Sequence, residues 1–246
     1  MNMKRDVRRL AILLAAFLAP LLAGCDREQA REREREKLHA QRLEQEMTKL
    51  QAEVSAWKSP EPSGRKEFDK IIPEWKEHNE ALIQLRRLLD QALAKMAAKQ
   101  FSEIRPLAEE GIQTSQKLDV MVSDRSPGVE KRAKAAGAIF PEFFAAHYAL
   151  LRGSAALYQH QFLKPLAILS LHAPSAERRS VIEQIASLYS EAKASGLSKS
   201  LEQALQKAWA EEDDPTNKAQ VEQKLKQLGL PLTSPAANPA PDVKSK

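Results

Sequence analysis

Apolar residues in this chain recur three and four positions apart wherever it is not a loop, and that spacing directs it into helices. Ile72, Trp75, Leu82, Leu85, Leu89, Leu93 and Met96 form one such row, and Ile104, Leu107, Gly111, Leu118 and Met121 form a second. Val181, Ile182, Ile185 and Leu188, then Leu201, Leu205 and Trp209, then Val221, Leu225 and Leu228 continue it. Only 8 of 246 residues are Gly and 5% are aromatic, and runs of β-branched or aromatic residues are few. A β-sandwich or barrel would need more of all three. The expected fold class is therefore all-α: a long N-terminal polar helix, with a possible coiled-coil seam, followed by an antiparallel helical bundle.

Proline, glycine and short polar residues mark where the helices begin and end. Pro73 suits a first helical turn. Asp124-Arg125-Ser126-Pro127-Gly128 reads as a loop, with Ser126 and Pro127 opening the next helix. Pro141 and Pro165 are expected to break or kink the most apolar stretch, 129–171, which resembles the central helix of a bundle. Gly196 reads as a helix stop, Asp214-Pro215 as a cap and first turn, and Gly229 with Pro231 as the close of the last helix. No period of 30 to 45 residues carries recurring signature positions, so a repeat array is not indicated.

Residues 27 to 58 contain no Gly or Pro. They open on an alternating block, Arg31 to Lys37, in which i,i+3 pairs are opposite in sign and i,i+4 pairs alike. These contributions largely cancel. Helix propensity then decides, and Glu, Arg, Lys, Gln and Ala favour helix. A narrow seam follows: Ala40, Leu43, Met47, Leu50, Val54 and Trp57 alternate at spacings of three and four, an a/d pattern. Two and a half heptads are too few to identify a coiled coil, so the stripe has two possible occupants. It packs on the protein's own body, or it serves self-association or a protein partner through residues 40–57; with neither, it frays in solution. Ser59-Pro60-Glu61-Pro62-Ser63-Gly64 ends the helix and reads as a hinge.

The N-terminus is a targeting segment. Basic residues through Arg9 precede an apolar run from Leu10 to Ala23. Fourteen residues reach only about 20 Å as a helix, short of a bilayer's hydrocarbon core, and Pro20 interrupts them. The run ends in Leu22-Ala23-Gly24-Cys25. A Leu, two small residues and a Cys form the lipobox of bacterial lipoproteins, and residues 1–25 resemble that class. The resemblance implies cleavage between Gly24 and Cys25, a covalent lipid on the Cys25 thiol and acylation of the new amine. Two lipid chains suffice for stable anchoring where one does not. Asp26 resembles the residue that retains enterobacterial lipoproteins in the inner membrane, so the periplasmic face of that membrane is favoured over the outer membrane.

The division that results is a leader, 1–24; a lipid-anchored polar or coiled-coil helix, 25–58; a hinge, 59–64; a helical bundle, 65–230; and a disordered Pro/Ala-rich tail, 231–246. Cys25 is the only cysteine, which excludes intramolecular disulfides, Cys-based zinc sites and, once lipidated, cysteine catalysis. Formal charge is +5, but Lys4, Arg5, Arg8 and Arg9 against Asp6 supply three units of it. The remainder is nearly balanced with signs interspersed, so no nucleic-acid partner is expected.

Candidate chemistry elsewhere has simpler explanations. His39, His78, His147, His160 and His172 form no H-x-x-x-H pair, so no metal is expected. His147, between Phe144 and Leu151, reads as a buried structural histidine. Glu211-Glu212-Asp213-Asp214 lacks the glycine turn and ligand spacing of a calcium loop. Arg86-Arg87, Lys131-Arg132 and Arg178-Arg179 read as solvated helix faces. No phosphate loop, dinucleotide fingerprint or G-x-S-x-G is present, and no cofactor is expected beyond the lipid.

Two functions fit. One is a non-enzymatic envelope lipoprotein, a scaffold or protein-interaction module that engages a partner through its body or through the seam Leu43, Met47, Leu50, Val54 and Trp57. The other is a helical ligand-binding domain or hydrolase. Its site would lie between helices of the 140–190 region, lined by Phe144, Tyr148, Tyr158 and Tyr189.

Overall fold

The computed structural model describes residues 3–62, 66–135, 141–191 and 198–233, with side chains from residues 28–62, 69–135, 144–191 and 198–233. Among them the protein is all-α and contains no strand. The helices are α1 (Met3–Ala56), α2 (Lys66–Ile71), α3 (Glu74–Ala97), α4 (Ile104–Ala135), α5 (Pro141–His172), α6 (Ser175–Glu191), α7 (Ser198–Glu211) and α8 (Pro215–Leu228). A 3₁₀ turn, Phe101–Glu103, links α3 to α4. No helix among the described residues is long and apolar enough to cross a membrane.

Helix α5 is the hub, packing against α1, α3, α4, α6 and α7. From Gln161 to Ala173 every residue is buried or half-buried, because α1, α6 and α7 enclose it. Its N-terminal half packs on α3 and α4 and leaves one face exposed among the described residues. The core runs the whole length, from Trp75, Phe144 and Val129 at one end to Leu201, Leu205 and Val221 at the other.

Helix α1 lies along α5 in the opposite direction. His39 stands beside His172, Lys164 binds Glu53, and the Trp57 ring meets Tyr158 edge-on with centroids 5.3 Å apart. The backbone of α1 is continuous through Pro20, where the sequence suggests an interruption. Residues 28–38 are exposed on every side, as the alternating charge block requires. The helix ends at Ala56, and a stretch without regular secondary structure, 57–62, follows.

Two of the expected interruptions lie inside helices. Asp124 to Gly128 is not a loop, and α4 continues through Pro127 to Ala135. Val122 and Val129 are fully buried on either side of the proline. Arg125 binds Glu77 and Arg132 binds Glu74, so both halves of α4 are tied to α3. That packing offsets the backbone hydrogen bond the proline cannot donate. Pro165 likewise lies inside α5, whereas Pro141 opens it. Gly196 lies outside the described residues, as do Ser63, Gly64 and residues 234–246.

The last helix ends as its sequence indicates. Asp214 Oδ1 accepts from Thr216 N at 2.8 Å and Asn217 N at 2.9 Å, Pro215 takes the first turn, and Gly229 closes α8 at φ 71°.

Candidate functional site

Gly24, Cys25 and Asp26, the residues of the expected anchor, fall within the backbone of α1, and their side chains lie outside the described residues. The helix that carries them is the one that docks on the body. About 30 Å of helix separates Cys25 from the level of Glu44, where Lys99 of the α3–α4 turn binds.

The seam faces inward. Leu43, Met47, Leu50 and Val54 are buried in the common core and Trp57 is half-buried against it. The buried row begins at His39 rather than Ala40, which is exposed. Four apolar side chains at this depth contribute about 1.5–3 kcal/mol each, so α1 is part of the body's structure over residues 39–57.

Where α1 leaves the body, a cleft of about 410 Å³ lies between it and the α5–α6 and α7–α8 turns. Its floor is a knot of buried polar bonds. Arg178 donates from Nη2 to Glu212 Oε1 at 2.8 Å, from Nε to Glu212 Oε2 at 3.1 Å, and from Nη1 to the Ala173 carbonyl at 2.9 Å. Ser175 Oγ donates to Asp214 Oδ2 at 3.0 Å, and Asn217 Nδ2 donates to the Ser175 carbonyl at 3.0 Å. His39 Nε2 donates to the Asp213 carboxylate, 3.2 Å from each oxygen, and this bond latches α1 to the knot. Capping bonds from Asn217 and Thr216 together with Ser175 hold the Asp214 carboxyl below its usual range, while the adjacent His39 and Arg178 outweigh partial burial to do the same for Asp213. Arg178 is therefore no part of a solvated face, as the sequence suggests, but 3% exposed. The only sequence sign of this was an acidic run at the right loop, with no local spacing to join it to an arginine 34 residues earlier.

The four aromatics proposed to line a site are all buried, and the structure does not bring them together. Phe144 and Tyr148 meet Trp75 edge-on, with centroids 6.3 and 6.2 Å away. Tyr158 lies three to four turns further along α5, against Trp57 and Phe162. Tyr189 sits on α6. Neither the cleft above nor a groove of about 710 Å³ between residues 59–62 and α3 is lined by any of them. In that groove Arg86 is already held by Asp90 at 3.0 Å and by Ser59.

Around Trp75 the side chains form an uncharged interior. His147 stacks on the indole with centroids 3.4 Å apart. Desolvation, with His78 nearby, pushes the His147 imidazole down to about 4. Desolvation also lowers His78 and raises the Tyr148 phenol to about 12. Neither ring nitrogen of His78 nor the Tyr148 hydroxyl has a partner among the described residues. A base held near 4 accepts a proton poorly at neutral pH, so this cluster supports packing better than acid–base chemistry. Among the described residues no group of three His, Cys, Asp or Glu could hold a metal ion. Ser175, a hydroxyl in the cleft, is bonded to a carboxylate and an amide rather than to a histidine, which is not the arrangement of an activated nucleophile.

No family model, curated protein or solved structure matches this chain.

Proposed function

We propose that the chain is a lipid-anchored lipoprotein of a bacterial cell envelope whose helical body serves as a non-enzymatic scaffold or interaction module. The observation that carries this reading is Leu22-Ala23-Gly24-Cys25 at the end of a short apolar run, with Cys25 the only cysteine among 246 residues. The fold supports a mounting role. The helix that bears Cys25 runs on into the body and contributes four side chains to its core. A domain joined this way follows its anchor as a rigid unit and is not free on a flexible linker. The polar groups best placed for chemistry, Arg178, Glu212, Asp214 and Ser175, are engaged in bonds that tie helix ends together. Asp26 favours the periplasmic face of the inner membrane.

The test is intact mass of the membrane-extracted protein beside a Cys25→Ala variant, with inner and outer membranes separated. A mass reduced by residues 1–24 and increased by acyl chains, lost in the variant, is the expected result. Unmodified protein free of membranes would overturn the anchor and the localisation together.

A further inference from the structure

The open face of α5 is largely apolar, with Arg152 and His160 its exposed polar members. Ala146, Ala149, Leu150, Gly153, Ala156 and Leu157 are exposed, Leu150 by 51% and Leu157 by 46%. Arg152 is the only formally charged residue between Phe144 and Leu163. Other exposed helix faces in this protein carry several Lys, Arg and Glu; a face this long with Arg152 as its one charge marks a contact surface. It also continues an existing one. Leu150, Leu157 and Lys164 are seven residues apart and form one row of α5, and Lys164 is where Glu53 of α1 binds. Helix α1 stops at Ala56, so the row is covered by an antiparallel helix at its C-terminal end and bare beyond it.

We propose that the bare part of this face pairs with the same face of a second copy, α5 against α5, antiparallel about a two-fold axis at Gly153. The stripe has the symmetry this needs. Leu150 stands three residues before Gly153 and Leu157 four after it, on one flank, so Leu150 of one copy runs nearly level with Leu157 of the other, and the contact occurs twice. Ala149 and Ala156 fall on the opposite flank, where small side chains let the backbones approach. Gly153 has no atom within 4 Å of where a Cβ would lie, so the centre is unobstructed. Charge is matched as well. Arg152 donates to Asp119 of α4 at 3.2 Å, beside the midpoint. The charge nearest the axis is thus already paired within each copy. One helix face is small for an interface, so the dimer is a weak, concentration-dependent one.

The test uses the full chain in intact cells. Facing helices of small residues would place the two Gly153 Cα atoms about 4–6 Å apart, within disulfide range. Gly153→Cys is expected to give a disulfide-linked homodimer as the main product on mild oxidation. Lys207→Cys, exposed on α7, and the wild type, which reports any linkage through Cys25, are expected to give little. Adding Leu150→Lys and Leu157→Lys to Gly153→Cys is expected to abolish the dimer while circular dichroism stays unchanged, since both side chains are half-exposed. The proposal fails if Gly153→Cys stays monomeric, links instead to a different protein or to the chain's own tail, or gives no more dimer than Lys207→Cys. None of these outcomes depends on lipid at Cys25, so failure here leaves the anchor untouched.

Discussion

Arg178 and Glu212 meet as a buried two-point pair, 3% and 1% exposed at their side chains, across the junction of α6 with the α7–α8 turn. The carboxylate also accepts from Asp214 N at 3.0 Å. Neither charge has water to fall back on if its partner is removed. Arg178→Leu or Glu212→Leu alone is expected to cost about 3–5 kcal/mol, since each leaves an uncompensated buried charge. Arg178→Met with Glu212→Leu removes both charges and is expected to cost well under the sum of the single changes. Urea unfolding of the three variants measures this. Additive losses would mean that the pair is not coupled.

Gly111 and Phe162 make the closest approach at any described glycine. A Cβ at position 111 would stand 2.5 Å from three atoms of the Phe162 ring, so α4 and α5 close on each other only because residue 111 has no side chain. Gly111→Ala is expected to destabilise by about 1–3 kcal/mol, as overpacking does, despite alanine's better helix propensity. Phe162→Leu in the same chain should recover part of the loss. A thermal-melt double-mutant cycle reads the coupling, and a stabilised Gly111→Ala would show that the ring moves aside freely.

Three histidines make the fold acid-sensitive in a defined window. Desolvation lowers His78, brings His147 to about 4, and brings His172 to about 4, where His39 and Arg42 add to it. Unfolding restores an ordinary value near 6.5, so the unfolded chain binds more protons below that pH. Stability should therefore be level above about pH 6.5 and fall as pH drops toward 4. The ion-paired carboxylates Glu74 and Glu77 are shifted downward, and their contribution is lost only at lower pH, beneath the ordinary carboxyl range. The urea midpoint from pH 8 to pH 4 tests this. His147→Phe should flatten the upper part of the fall, and an unchanged slope would show that His147 is reached by water in the folded state.

The helix class, the capped ends of α8 and the inward stripe of nearly every helix were legible because each depends on residues within one or two turns of each other. Asp214 and Gly229 carry their own geometry. Pro127 was misread because local preference argued for a break, while Val122, Val129 and two ion pairs to α3 hold the helix through it. Arg178 was misread for the same reason: its partner lies 34 residues away and no periodicity connects them. The aromatic residues of α5 could be recognised as an apolar face. Their division between Trp75 and Trp57 is set by which helix crosses α5 at each level, and that is a tertiary fact. Cys25 alone among the candidate sites is defined by contiguous sequence.

The seam of α1 allowed two occupants, its own body or a partner, and the structure seats Leu43, Met47, Leu50 and Val54 in the common core. The two arrangements predict opposite behaviour on substitution. Met47, 1% exposed, has no route to relieve a cavity, so Met47→Ala is expected to cost about 2–5 kcal/mol. Leu43→Asp with Leu50→Asp should lower the melting temperature of the whole body, including signal from α4 and α5, because α1 packs on α5 and α3. A seam reserved for a partner would leave melting unchanged and alter only association. The latch at the end of the row gives a graded control: His39→Ala removes the bond to Asp213 and leaves the apolar contacts in place. Hydrogen exchange in that variant should rise first in residues 28–43, while amides around Met47 and Val54 stay protected.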